Sequence, residues 1–268
     1  MTITQAIVGR RGFPDDRWLM ITTPAGECVT QRELPRLAQI RAKIQSGQVL
    51  TLSVAGRPPF SLIISSLNRR RMTVTIGGEQ CQAIDQGDEV ANWLSDCLGT
   101  PCRLVRVADD FSGPPEAAGT LRRSDQKSFA DRYPLSLISQ ASLSDLNSRL
   151  PQPVEAVRFR PNLVVSGCAP YAEDTWKVIR IGEVVCEVVA PCVRNETVNV
   201  DPRLGERGGE PLQTLSSYRR VGERVSFGQY LVQRGPGQIR IGSVVEVREV
   251  NLSAAPEGRE PGNQNGAV

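Results

Sequence analysis

Short runs of alternating apolar and polar residues recur along the chain, which is the pattern of half-buried β-strands. After strand-like residues near the amino terminus and at Trp18–Thr22, three further runs follow with the spacing of a β-meander: Leu50–Val54, Ser61–Ile64 and Met72–Ile76. One amphipathic helix is predicted at Glu89–Leu98, with Gly99 as its stop signal, and we expect it to plug a small barrel. Its apolar stripe repeats at helical spacing: Val90, Trp93, Leu94, Cys97 and Leu98.

The second half of the chain carries the same β-type pattern. A strand is predicted at Pro134–Ile138, then a short helix that ends at Leu150 and takes Ser142 as its N-cap. The last apolar runs, Phe227–Val232 and Gly237–Val247, are both strand-like.

A change of composition divides the chain. Residues 109–119 are rich in proline, glycine and alanine, which predicts a linker or mobile loop over residues 109–124. We therefore expect a mainly β fold with a β-barrel-like domain at 1–108, a larger β-barrel at 125–252, and a few short helices. Residues 253–268 have the composition of a disordered tail.

Charge and composition exclude several classes of partner. The 32 basic and 29 acidic residues nearly balance, for a net charge of +3, and aromatic residues make up only 5% of the chain. Neither number fits a nucleic-acid-binding surface. The chain has no apolar run of about 18 residues, so we expect no membrane span.

The chain contains no histidine, which removes the commonest general base and the nucleophile pairs that depend on it. Its seven cysteines form no C-x-x-C pair and follow no signal-peptide core. This predicts reduced thiols and a cytoplasmic location.

Two arginine-containing loops, 158–162 and 192–195, each adjoin an apolar β-branched run. We expect these loops to lie close together and to bind an anion, most simply a small phosphate-bearing ligand. The charged stretch Thr30–Leu37 leaves two interpretations open, a surface loop and a binding segment.

A series of motifs in one order resembles the MOSC domain of the amidoxime-reducing component family of molybdenum cofactor proteins. In the second half they are R-F-R-P-N-L-V-V-S-G (158–167), E-D-x-W-K-x-I-R-I-G (173–182), V-D-P-R-L-G (200–205), E-P-L-Q-T-L-x-x-Y-R (210–219), F-G-Q-Y (227–230) and G-x-I-R-I-G (237–242). The first half resembles the same family's N-terminal β-barrel domain and junction, through W-L-M-I (18–21), T-Q-R-E-L-P-R-L (30–37), D-x-G-D-E-V-A-N-W-L-S (85–95) and S-Q-A-S-L-S-D-L-N-S-R-L (139–150).

The resemblance implies a molybdopterin cofactor between the domains, a cysteine thiolate on the metal, and reduction of N-hydroxylated compounds with electrons from a redox partner protein. Arg160, Asn162 and Arg194 fall on the family's cofactor-contact positions. Their alternative interpretation is that of strand-end side chains, the arginines being paired with nearby carboxylates.

The chain departs from the family pattern at positions that bear on the site. The family's metal-ligand cysteine corresponds to Asn195, and an amide oxygen is a poor substitute for a thiolate. Cys192 and Cys168 are the alternative ligand candidates, or else small core residues, so the metal ligand is not identified. An arginine of the family aligns with Asp16, although the adjacent Arg17 takes its place after a one-residue shift. Arg132 stands where relatives often have a small residue, and the family's first strand is missing, so the N-terminal domain is expected to be shortened.

Three functions compete on these grounds. The first is a molybdenum-dependent oxidoreductase acting on N-hydroxylated small molecules. The second is a metal-free MOSC scaffold that binds or converts an anionic small molecule in a non-redox biosynthetic step. The third is a binding or carrier module without catalysis.

Overall fold

A computed structural model describes residues 4–9, 12–45, 48–65, 67, 70–108, 129 and 133–251. Strands make up most of the regular structure in these residues, and the α-helices are short, so the prediction of a mainly β fold is confirmed. No helix in this part of the chain combines the length and apolar character needed to cross a membrane.

The described part of residues 1–108 holds two antiparallel sheets, one α-helix and a first strand that belongs to neither sheet. The elements in chain order are β1 (Gln5–Val8), β2 (Leu19–Thr22), β3 (Arg41–Gln45), β4 (Val49–Ser53), β5 (Phe60–Ile63), β6 (Arg71–Ile76), β7 (Glu79–Asp85), α1 (Asp88–Leu98) and β8 (Arg103–Val107). The sheet orders are β2-β8-β7-β6 and β3-β4-β5. The three predicted meander strands exist, but their grouping was wrong, because β6 pairs with β7 in the other sheet.

Helix α1 matches its sequence signals. Its buried residues Val90, Leu94 and Leu98 pack in one cluster with Leu50 of β4 and Leu104 of β8, one from each sheet. The helix ends at Gly99, whose left-handed backbone (φ 71°) lets its N–H donate to the carbonyl of Ser95 at 2.8 Å. The apolar stripe therefore closes the space between the two sheets.

The second half is organised around one seven-stranded sheet of order β10-β9-β16-β12-β11-β18, with β15 added to β16. Its elements are β9 (Leu135–Ser139), α2 (Gln140–Arg149), β10 (Leu163–Val165), β11 (Trp176–Ile181), β12 (Val184–Arg194), β13 (Val200–Asp201), β14 (Glu206–Arg207), α3 (Leu212–Tyr218), β15 (Arg220–Val221), β16 (Arg224–Gln233), β17 (Gly237–Arg240) and β18 (Val245–Val250). Short 3-10 helices lie at Pro35–Gln39, Ala156–Phe159, Ala172–Thr175 and Glu196–Asn199.

Successive side chains of a strand point to opposite faces of a sheet. Both faces of this sheet are covered, since neighbouring strand residues are buried in two different clusters. Leu137 of β9 and Leu231 of β16 belong to one buried cluster. Ile138 of β9 and Phe227 of β16 belong to a second cluster, beneath α2 and α3. The rings of Phe227 and Phe159 lie 4.4 Å apart there, which brings loop 158–162 against β16.

The structure corrects two predicted boundaries. Helix α2 begins one turn earlier than predicted, with Ser139 rather than Ser142 as its N-cap, and the hydroxyl of Ser139 accepts from the Ser142 N–H at 3.0 Å. The single run predicted at 237–247 is two strands: β17 pairs with β1, whereas β18 pairs with β11. Strand β1 thus lies with the C-terminal half, and its Val8 is buried in that half's core.

The segment 30–37 is a turn that leads into the 3-10 helix Pro35–Gln39, as the surface-loop interpretation expected. It also contacts the β13–β14 hairpin. Gln39 Nε2 donates to the Arg203 carbonyl at 3.0 Å, and Arg207 Nη1 donates to the Arg32 carbonyl at 3.3 Å. These bonds join the two halves of the molecule beside residue 195.

Candidate functional site

The candidate site lies where β12 ends against an irregular part of β16. The β12–β16 register shifts between Pro191 and Val193, and Gly228 of β16 has a left-handed backbone (φ 80°). A Cβ at Gly228 would lie 2.4 Å from the carbonyl oxygen of Leu137, so only glycine fits there. This irregularity leaves the adjacent Phe227 carbonyl available to a side chain.

Arg194, the last residue of β12, uses that carbonyl. Its Nε donates to the Phe227 oxygen at 2.9 Å and its Nη1 to the Phe159 oxygen at 3.0 Å. The two loops predicted to lie together therefore do so, and the carbonyls that hold Arg194 flank the stacked pair of rings. The guanidinium carbon lies 5.5 Å from the centre of the Phe159 ring.

One nitrogen of this guanidinium has no partner among the residues that the structure describes. Nη2 of Arg194 is buried and has no hydrogen bond among the described residues, and none of their carboxylates forms an ion pair with Arg194. Burial lowers the pKa of Arg194, and the positive charge of Arg17 adds to the effect. A buried cationic donor without a counterion is costly, and an anionic ligand would satisfy it.

Arg17 is brought to the same corner by a chain of hydrogen bonds between the two halves of the molecule. The amide oxygen of Asn162 accepts from the Ser136 N–H at 2.9 Å, and its Nδ2 donates to Asp16 Oδ2, also at 2.9 Å. The same Asp16 oxygen accepts from Arg17 Nη1 at 2.5 Å. In this structure Asn162 therefore positions Asp16 and Arg17.

Cys192 is a core residue in this structure. Its side chain has no exposed surface, and burial raises its pKa to about 11, although the charges of Arg194 and Arg17 oppose the rise. A thiol in that environment stays protonated at neutral pH when no metal is bound to it. These observations favour the alternative in which Cys192 is a small buried side chain.

Asn195 occupies an exposed position directly after Arg194, and its side chain has a structural role. Its Oδ1 accepts from the Thr197 N–H at 3.0 Å and caps the 3-10 helix Glu196–Asn199. The amide oxygen at the expected metal-ligand position is thus already hydrogen-bonded within the protein.

The remaining candidates lie around this corner or outside the described residues. Arg160 is exposed and has a left-handed backbone (φ 49°) at the end of the 3-10 helix Ala156–Phe159. Arg158 of the same loop, which was not a candidate, pairs with Asp201 at 2.9 Å. Cys168 is half-buried, and burial raises its pKa. Arg132 lies outside the described residues.

A further polar cluster involves motif residues to which the sequence analysis assigned no role. Asp174 accepts from Arg219 Nη2 at 2.6 Å and from Gln229 Nε2 at 2.7 Å. The Arg219 guanidinium lies 4.5 Å from the centre of the Tyr171 ring, whose hydroxyl donates to Asp145 at 2.7 Å. The motifs E-D-x-W, Y-R and F-G-Q-Y meet in this cluster. In the sequence, the only signal that pointed to their polar residues was the occurrence of these motifs in one order.

We compared these residues with the requirements of a molybdenum cofactor. A phosphate group suits the corner, because Arg194 offers a buried cationic donor that has no partner among the described residues. Attachment of the metal through a thiolate of loop 192–195 does not fit, since Asn195 is an amide and Cys192 has no exposed surface. Within the described ranges, no three cysteine, aspartate or glutamate side chains are placed to share a metal ion.

Family models identify the class of protein to which this two-part β architecture, with its arginine corner, belongs. The model of the MOSC domain matches residues 124–246, and that of the MOSC N-terminal beta barrel domain matches residues 1–101. The chain belongs to the MOSC-domain family.

Individual relatives narrow the placement within that family. The chain is 36% identical to the human (Homo sapiens) mitochondrial amidoxime-reducing component 1 over 249 residues, which is 88% of this chain and 74% of the relative. It is 35% identical to the molybdenum cofactor sulfurase of Oryza sativa subsp. japonica over 81% of this chain and 29% of that protein. Among solved structures, YiiM from Geobacillus stearothermophilus is 17% identical, with a TM-score of 0.33 over 44% of this chain and 55% of YiiM.

Proposed function

We propose that this protein binds a phosphate-bearing small molecule of the pterin cofactor class at the corner formed by Arg194 and Arg17, without attaching a metal through a protein thiolate. The observation that carries the proposal is the buried, unpartnered Nη2 of Arg194. Relatives named for amidoxime reduction and for molybdenum cofactor sulfuration support the choice of ligand class.

The chemistry of the corner suits a phosphate ester. A guanidinium offers donors in a fixed fork, and two of the Arg194 nitrogens are held by carbonyls at 2.9 and 3.0 Å. Those bonds fix the direction of the third nitrogen before any ligand arrives. Binding therefore costs little side-chain entropy, which favours affinity for a small ligand.

The test is the pterin and molybdenum content of the full-length chain after expression in a host that makes the cofactor. We expect fluorescent pterin oxidation products to be recovered with the protein, together with molybdenum well below one atom per pterin. Arg194→Lys should lower pterin recovery at least tenfold, because an ammonium cannot reproduce the forked contacts to the Phe227 and Phe159 carbonyls.

Arg158→Lys is the matched control, because Arg158 belongs to the neighbouring loop and already pairs with Asp201. We expect it to leave pterin recovery within about twofold of the parent protein. Absence of both pterin and molybdenum from the parent protein would refute the proposal.

The second candidate function is molybdenum-dependent reduction of N-hydroxylated compounds with electrons from a redox partner, and similarity to the amidoxime-reducing component favours it. This candidate requires near-stoichiometric molybdenum in the parent protein and turnover of an amidoxime by the reduced enzyme. Asn195→Cys separates the two candidates. If only the missing thiolate limits metal retention, this variant raises the molybdenum-to-pterin ratio above that of the parent protein.

A further inference from the structure

Asp16 occupies an unusual place for a carboxylate, because it pairs with Arg17, one of the two arginines that would bind an anion. Its Oδ2 accepts from Arg17 Nη1 at 2.5 Å and from Asn162 Nδ2 at 2.9 Å. Arg17 has a left-handed backbone (φ 52°), which a non-glycine residue rarely adopts. The loop that ends in Arg17 is thus held in an unfavourable conformation by contacts that include Asp16.

The hydrogen bonds that hold Asp16 and those of Arg194 both involve loop 158–162. Arg194 donates to the Phe159 carbonyl, and Asn162 lies three residues further along that loop. Asp16 offsets Arg17 but forms no ion pair with Arg194 among the described residues. The three charged side chains therefore sum to +1, from +2 of the arginines and −1 of Asp16.

We propose that Asp16, which is held by Asn162 and positions Arg17 directly, is a specificity-determining residue of this anion site and at the same time limits the affinity of the site for doubly charged anions. The inference rests on the proposed function, because it requires an anion at Arg194. A ligand dianion meets both guanidiniums but is repelled by the carboxylate. The site therefore binds a phosphate group more weakly than its two arginines alone would allow.

Asp16→Asn tests this inference, because asparagine keeps an oxygen that accepts from Asn162 and Arg17 but removes the negative charge. Binding of sulfate, which stays doubly charged across neutral pH, is measured by isothermal titration calorimetry on the full chain at low ionic strength. We expect Asp16→Asn to bind sulfate about three- to tenfold more tightly than the parent protein. The gain should shrink as sodium chloride is added, because salt screens the lost repulsion.

Two matched variants isolate the local charge. Glu249→Gln makes the same change in net charge at the exposed Glu249–Lys177 pair, and we expect sulfate affinity within about twofold of the parent protein. Asp16→Glu restores the negative charge and should abolish the gain. Asp16→Ser also removes the charge, and it provides the same comparison if Asp16→Asn does not fold.

The outcomes distinguish this inference from the proposed function. The first outcome is that the parent protein binds sulfate and that Arg194→Lys abolishes this binding. If Asp16→Asn and Asp16→Ser then bind sulfate no more tightly than the parent protein, Asp16 is only a structural support and the inference is wrong. If neither the parent nor any Asp16 variant binds sulfate, the proposed function fails as well. If Glu249→Gln increases sulfate affinity as much as Asp16→Asn does, the increase comes from the net charge of the protein, and the local role of Asp16 is overturned.

Discussion

Removing the Asp174 carboxylate should strongly destabilise the C-terminal half. Asp174 is the shared acceptor for Arg219 Nη2 and Gln229 Nε2, at 2.6 and 2.7 Å. Gln229 is only 4% exposed, and the side chains of Arg219 and Asp174 are 19% and 20% exposed. Asp174→Ala therefore leaves two largely buried donors without their acceptor.

The expected cost follows from those two donors. An orphaned buried donor costs about 1–3 kcal/mol, and a buried charge that loses its partner costs more. Arg219 keeps its bond to the Ser226 carbonyl and its stacking on Tyr171, and its partial exposure reduces the loss. We expect Asp174→Ala to lower the free energy of unfolding by about 2–4 kcal/mol.

Urea unfolding measures this change. In a background with Trp18→Phe and Trp93→Phe, the fluorescence of the buried Trp176 reports on the C-terminal core. Lys177→Ala, which breaks an exposed pair, is the control and should cost less than about 1 kcal/mol. A double-mutant cycle of Asp174→Ala with Arg219→Met should give a coupling energy of about 1–3 kcal/mol. A coupling energy near zero, or a loss for Asp174→Ala no greater than the control, would refute this reasoning.

Two other predictions concern the frame of the site. Gly228→Ala should lower the free energy of unfolding by at least about 3 kcal/mol, because its Cβ would lie 2.4 Å from the Leu137 oxygen at a left-handed φ. Gly222→Ala is the control, since Gly222 is also left-handed but lies in open space, and it should lower the free energy of unfolding by about 1 kcal/mol. Equal losses of stability in thermal unfolding would contradict the close-approach argument. Burial raises the pKa of Cys192 from its ordinary value of 9.0 to about 11, so the unfolded chain loses this proton first as the pH rises, and the stabilisation from the neutral thiol declines between about pH 9 and 11. Cys192→Ala should show a smaller decline in the free energy of unfolding over that range, and an identical decline would contradict the raised pKa.

The sequence motifs were informative about the fold for a reason that only the contacts reveal. Asp174, Arg219 and Gln229 come from three separate motifs, and their side chains meet in one cluster beneath the sheet. These three motif residues thus support the packing of α3, β16 and the 3-10 helix at 172–175. This is why the motifs indicated the family more clearly than the chemistry.

Sequence periodicity by itself predicted strands β2, β4, β5, β6 and β9, helix α1 and its end at Gly99, because alternation and helical spacing depend only on neighbouring residues, but it did not predict β7 or β8. The sequence also showed that loops 158–162 and 192–195 carry arginines, and the family resemblance marked residue 195 as a departure. Sequence alone did not determine the sheet to which β6 belongs or the division of residues 237–247 into two strands. Strand pairing depends on partners far away in the chain.

Tertiary structure alone decided the state of each candidate side chain. Arg158 and Arg194 look alike as loop arginines, yet the first pairs with Asp201 and the second has a buried nitrogen that finds no partner in the described part of the chain. Cys192 and Asn195 are three residues apart, yet one is enclosed in the core and the other is exposed and caps a 3-10 helix. Burial and the distance to an opposite charge set their chemistry, and both depend on residues that are remote in sequence.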